Sequence, residues 1–287
     1  MEEIHQHLYL LLLGMLWGLP VLYSAWKKGF FETLPISFLP KIRGKDVLKG
    51  FIVFVLAEVV IIPALAVVTV YAATGKLLVY NALDIQEKGW LNAFIILGGF
   101  IALLRVYFDL PPETRRSLWK QTSLPGKDQV LFGIRSWFVI YPLILVFSQS
   151  VGLAVLMIFE KPALDQVAVK HIKNVMAYPT LMGMTMLEVI IIVPLMEEFL
   201  FRGLLQNWLK RKLNHAAGAV LLTSLLFALF HFSSSQGVTN IELLSTLFVL
   251  SCFLGYIYEK RRSLWASVAL HGFFNLISII TIFLVEG

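Results

Sequence analysis

Eight stretches of this chain run long enough in apolar residues to cross a lipid bilayer. They cover residues 8–26, 47–74, 90–110, 129–159, 180–208, 216–235, 241–258 and 264–285. Each approaches or exceeds the ~20 residues a helix needs to traverse ~30 Å of hydrocarbon. A backbone in lipid must satisfy its own hydrogen bonds, so such stretches fold as helices. The alternating pattern of a membrane β-barrel is absent. The expected fold is all-α: a polytopic membrane protein, a bundle of about eight transmembrane helices. It divides into four spans within residues 1–165 and four within 166–287. Composition agrees, because 58% of residues are hydrophobic and only 15% are charged, where soluble domains carry about 25% charge. Pro20, Pro63, Pro142 and Pro194 fall inside spans and are expected to bend them. A weakly amphipathic stretch around 167–177 reads as an interfacial helix.

The formal charge of +6 does not point to a nucleic-acid partner. The basic residues sit in short clusters between apolar runs, as at a cytoplasmic membrane face. Odd-numbered loops hold sixteen of the Lys and Arg residues, including Lys210, Arg211, Lys212, Lys260, Arg261 and Arg262, and even-numbered loops hold five. That bias predicts both termini on the non-cytoplasmic side. Cys252 is the single cysteine, which excludes an internal disulfide and a cysteine metal cluster. The first span is preceded by Glu2 and Glu3 without Lys or Arg, unlike a signal peptide.

Charge inside a membrane costs a few kcal/mol or more per group and needs a reason. The fifth span ends in Met196-Glu197-Glu198-Phe199-Leu200-Phe201-Arg202-Gly203. Glu198 and Arg202 are four residues apart, share a helix face and can neutralise each other. Glu197 lies about 100° further round, with no partner in its own helix. The sixth span carries Phe227 and His231 one turn apart, and the eighth carries His271 and Asn275 one turn apart. Taken singly, each has a plain structural reading: acids at a helix end, a core histidine, or polar glue between helices. Depth argues for more. At ~1.5 Å per residue from the adjoining basic clusters, Glu197, His231, His271 and Asn275 lie roughly 22, 24, 14 and 20 Å into the membrane. Three helices can therefore bring a carboxylate, two imidazoles and an amide to similar depth. Glu58, Glu188, Arg105 and Asp109 read as bundle-interior groups, with Glu58 and Glu188 as candidates to touch the site.

Glu197-Glu198-x-x-x-Arg202, Phe227-x-x-x-His231 and His271-x-x-x-Asn275, in that order on successive spans, resemble the CAAX-protease and bacteriocin-processing family. That family includes the type II CAAX prenyl endopeptidases. The resemblance covers about the last hundred residues. It implies a membrane-embedded endopeptidase acting on a membrane-anchored protein or lipidated peptide. Carried over by position, Glu197 activates a water with help from His231. His271 and Asn275 stabilise the oxyanion, and Glu198, Arg202 and Phe227 support the site. Amide hydrolysis needs these parts: an activated water, an oxyanion donor and a proton route to the leaving amine. No serine or cysteine has a matching base arrangement.

The resemblance leaves metal dependence open. Glu197, His231 and His271 can form a three-ligand zinc site with an open position, yet the chain lacks a His-Glu-x-x-His helix. The expectation is a water-activating glutamate without an obligatory metal. Two other function classes use intramembrane acids and histidines. A proton- or ion-coupled transporter predicts internal repeats and paired broken helices, and no repeat is visible. A non-catalytic scaffold predicts loss of the motif residues, which are intact. The bundle reads as a monomer.

Overall fold

The computed structural model describes residues 2–32, 40–120, 122–160 and 166–286. Among these the protein is helical, with no strands. Seven helices are long and apolar enough to cross a membrane. They are α1 (Glu2–Lys27), α2 (Gly44–Thr74), α3 (Ile85–Asp109), α5 (Gly126–Phe159), α7 (Pro179–Leu213), α9 (Thr239–Arg261) and α10 (Leu264–Glu286). Two short helices join them, α4 (Pro112–Trp119) and α6 (Val167–Val175). The α6 segment occupies most of the expected amphipathic stretch and buries Ile172 and Val175.

The sixth expected span corrects to a shorter helix, α8 (Ala216–Phe230). Its length of roughly 22 Å falls short of the ~30 Å hydrocarbon core. The helix stops because the chain turns at His231 and passes Gly237 at φ +51°, a conformation that favours glycine. Asn240 ties down the turn: its amide nitrogen donates to the carbonyls of Ser233 (2.7 Å) and Gly237 (3.1 Å), and its oxygen accepts from the Ser233 N–H. Irregular backbone at membrane depth needs such internal partners. Short as it is, α8 still reverses the chain. Arg202 bonds Ser251, Gln206 bonds Gly255 and Lys210 bonds Glu259. Partner numbers on α7 and α9 rise together, so these helices run parallel and α8 returns between them.

Proline and backbone accounting explain where the long helices deform. In α2 the N–H of Ile62 bonds the Ala57 carbonyl, and in α7 the N–H of Val193 bonds the Glu188 carbonyl. Both are wide, five-residue turns, and each is followed at once by a proline, Pro63 or Pro194. Such π-turns recur at functional sites. In α7 the consequence is specific. The Val189 carbonyl has lost Val193 as a donor, and its next candidate, Pro194, has no N–H. The amide of Asn275 on α10 supplies the bond at 2.8 Å. Beside it, a methyl group at Gly272 would run into the Ile190 carbonyl oxygen. Only glycine lets α10 approach this closely.

The two halves of the chain share one core. Phe51 and Phe54 of α2, with Leu103 and Val106 of α3, pack with Phe199, Phe201 and Leu204 of α7. Gly50 leaves room for the Leu204 and Leu200 side chains, and Gly133 of α5 meets the Ala266 backbone of α10. Thus α2, α3 and α5 brace the helices that carry the motifs.

Candidate active site

Three helices converge on Glu197. His231, at the C-terminal end of α8, places Nε2 3.5 Å from Glu197 Oε1. His271, on α10, places Nε2 3.6 Å from Glu197 Oε2. These separations exceed a direct hydrogen bond. They leave the carboxylate flanked by two imidazole nitrogens. The Glu197 and His231 side chains keep 17% and 30% of their surface exposed, whereas His271 is nearly enclosed.

The far side of each ring is fixed. His231 Nδ1 lies 2.9 Å from the Phe227 carbonyl oxygen. A carbonyl only accepts, so Nδ1 carries the hydrogen, and in the neutral form of the ring the Nε2 lone pair faces Glu197. His271 Nδ1 lies 3.1 Å from Glu198 Oε1, and Glu198 in turn accepts from Arg202 Nη1 at 3.0 Å. A carboxylate held by a guanidinium also accepts, so His271 gives its Nδ1 hydrogen to Glu198 and presents Nε2 to the site. This is a carboxylate-oriented imidazole.

Glu198 and Arg202 are both fully buried. Arg202 Nη2 also donates to the Ser251 hydroxyl (2.7 Å) and carbonyl (3.1 Å) on α9. Its guanidinium carbon sits 4.8 Å from the centre of the Phe227 ring, a cation–π geometry. Phe227 lies 4.8 Å from the His231 ring and meets the His271 ring edge-on at 6.2 Å. A single aromatic side chain therefore packs against Arg202 and both histidines. Phe201 closes its other side at 5.0 Å.

Glu197, Glu198, Arg202, Phe227, His231 and His271 thus form one cluster. Asn275 stands apart from the expected pairing with His271. Its amide bonds the Val189 carbonyl, which anchors α10 to the wide turn of α7, and one N–H of the amide remains for another partner. Replacing Asn275 by alanine should lower unfolding stability by about 1 kcal/mol, read by thermal unfolding in detergent. Ser251 was not singled out from sequence: a serine in an apolar run gives no signal until the parallel register of α7 and α9 is known.

The metal reading meets a geometric obstacle. Zinc needs three or more protein donors converging on one point. Among the described residues no group of three or more His, Cys, Asp or Glu side chains is arranged to hold a metal ion. Glu197, His231 and His271 do not fit a preformed three-ligand site.

Residues 179–277 match the sequence model of the family described as type II CAAX prenyl endopeptidase Rce1-like. The matched region starts at the first residue of α7 and ends inside α10, so it contains every member of the cluster. No curated protein and no solved structure matches the chain. With its long apolar helices, the chain is an integral, multi-pass membrane protein.

Proposed function

We propose that this chain, whose residues 179–277 match the model of the type II CAAX prenyl endopeptidase Rce1-like family, is a membrane-embedded endopeptidase of that family. Its substrate is a membrane-anchored protein or lipidated peptide. The observation that carries the reading is the Glu197 carboxylate facing imidazole Nε2 atoms from two other helices at 3.5 and 3.6 Å. An isolated carboxylate in hydrocarbon is costly, and this one is accessible and surrounded by proton-handling groups.

Chemistry follows from the orientations. Glu197 Oε1 and His231 Nε2 are two acceptors spaced to share one water. Each takes one water hydrogen, which turns an oxygen lone pair toward an incoming carbonyl carbon. As the C–O bond forms, Glu197 accepts the proton. With a hydrogen on each ring nitrogen, His271 donates from Nε2 to the developing oxyanion, and the Glu198–Arg202 pair holds its ring in that orientation. The free N–H of Asn275 is a second donor for the same oxygen. The reaction consumes water and a peptide bond and yields a carboxylic acid and an amine.

Basic clusters end both α7 and α9 on one side, and parallel α7 and α9 support that side as cytoplasmic. The termini then lie on the non-cytoplasmic side. The cluster is supplied by one chain, consistent with a monomer.

The test compares membranes holding the wild-type protein with membranes holding His231→Ala at matched levels. New peptide ends are read by mass spectrometry, with a farnesylated and an unmodified CAAX-type peptide added in parallel. Products confined to the wild type are expected. Preference for the farnesylated peptide assigns a lipidated substrate. Identical peptide ends from both membranes, with substrates present, overturn the proposal.

A further inference from the structure

One carboxylate beside the cluster has no role in the chemistry above. Glu58 lies on α2, outside the family-matched region, in the wide turn Ala57–Ile61 that precedes Pro63. Its placement follows from the packing of α2 on α7. Gly50 meets Leu204 and Leu200, and Phe51 meets Phe201 edge-on at 5.3 Å. One turn later Phe54 packs on Phe230 at 5.9 Å, next to His231. Glu58 is a further turn along the same face as Phe54. That face looks toward the end of α8, where His231 follows Phe230.

Space is made for it. Gly99 of α3 stands opposite, and a methyl group there would lie 2.6 Å from Glu58 Oε1. No structural purpose accounts for the carboxylate. Among the described residues its side chain has neither a hydrogen-bond nor an ion-pair partner. Carboxylates within membrane spans ordinarily pair with a donor or a cation. Two carboxyl groups at one site divide the labour when their surroundings differ. Glu197 faces two imidazoles, and Glu58 faces no cation. Glu197 is committed to the water, so Glu58 is the member left to act as an acid.

We propose that Glu58 is the general acid of the reaction, protonating the leaving amine. The inference rests on the endopeptidase reading. Water oxygen bonds to the carbonyl carbon while one water proton passes to Glu197. Glu58 then delivers its proton to the amide nitrogen as the C–N bond breaks, and the amine departs neutral. The second water proton stays on the new carboxylic acid. The proton on Glu197 passes to Glu58, which restores both groups for the next turnover. The catalytic acid thus comes from the half of the chain that carries none of the motifs.

An amide leaving group needs protonation; an activated phenyl ester, whose phenolate leaves unaided, does not. Glu58→Gln, Glu58→Asp and Glu197→Gln are each assayed on a peptide substrate and on an aryl ester of the same acyl portion. For Glu58→Gln, kcat on the peptide should fall about 10²- to 10³-fold, and ester hydrolysis should stay within about threefold of wild type. Glu58→Asp should recover part of the peptide activity. Glu197→Gln should lose both reactions. Wild-type peptide turnover by Glu58→Gln overturns the assignment. Equal loss of peptide and ester activity also overturns it and marks Glu58 as structural. A wild-type protein that cleaves neither substrate removes the endopeptidase reading itself, and the assignment with it.

Discussion

Glu197→Gln should abolish peptide cleavage while leaving the protein folded. Glutamine keeps the size and one acceptor oxygen of the side chain but cannot take a proton from water. General-base catalysis contributes typically 10²- to 10⁴-fold. Glu197 is the only carboxylate in the cluster with accessible surface, since Glu198 is sealed beneath it. The expected loss in kcat is therefore at the upper end, about 10⁴-fold, or roughly 5.5 kcal/mol of transition-state stabilisation. His231→Ala removes the second acceptor of the same water and should cost about 10²- to 10³-fold. The double variant should be no slower than Glu197→Gln alone, because residues that act as a unit are not additive. Thermal unfolding should shift little, since Glu197 is partly exposed and the two imidazoles stand 3.5 and 3.6 Å from it. A Glu197→Gln protein keeping a tenth of wild-type activity would sink the water-activation role.

The largest effect on stability is expected at Arg202. Its guanidinium is fully buried, pairs with Glu198 at 3.0 Å and reaches Ser251 on α9. Arg202→Ala leaves Glu198 buried and charged, with His271 as its remaining partner. Breaking a buried pair from one side costs about 3–5 kcal/mol, enough to remove most folded protein from a marginally stable bundle. Removing both charges is a different experiment. Glu198→Leu with Arg202→Met fills similar volume with apolar groups, and such replacements are often close to neutral for folding. That double variant should unfold within about 1–2 kcal/mol of wild type. It should nonetheless lose at least about 10²-fold in kcat, because His271 no longer has a carboxylate at Nδ1 to orient it. Equal unfolding temperatures for wild type and Arg202→Ala would show that the pair does not hold the site together.

The cluster was largely legible in the sequence because its parts are local pairs. Glu198 and Arg202, Phe227 and His231, and His271 and Asn275 are each one helical turn apart. A helix places such pairs together whatever surrounds it. Similar depth could also be estimated, since rise per residue is a property of the helix alone. Glu197, His231 and His271 do meet, as those depths suggested.

Asn275 shows where that reasoning ends. It shares a face with His271, yet its amide goes to Val189, because the wide turn and Pro194 together leave that carbonyl without a donor. The sixth span is a second case. Its apolar run continues past Phe230 to Phe232, while the helix stops at Phe230, where Gly237 and Asn240 hold the turn. Neither outcome follows from hydrophobicity, which reports how well a segment tolerates lipid and not where its backbone bonds go.

The sequence alone determined that this is a helical membrane protein and which polar side chains share a helix face. Those properties depend on the bilayer as solvent and on backbone geometry, both local to each segment. The tertiary structure decided which carbonyls lose their donors, which ring nitrogen faces Glu197, that Ser251 anchors Arg202, and that Glu58 stands beside the cluster. These depend on how helices pack across long separations in sequence, where glycines at 99 and 272 and prolines at 63 and 194 set the approach.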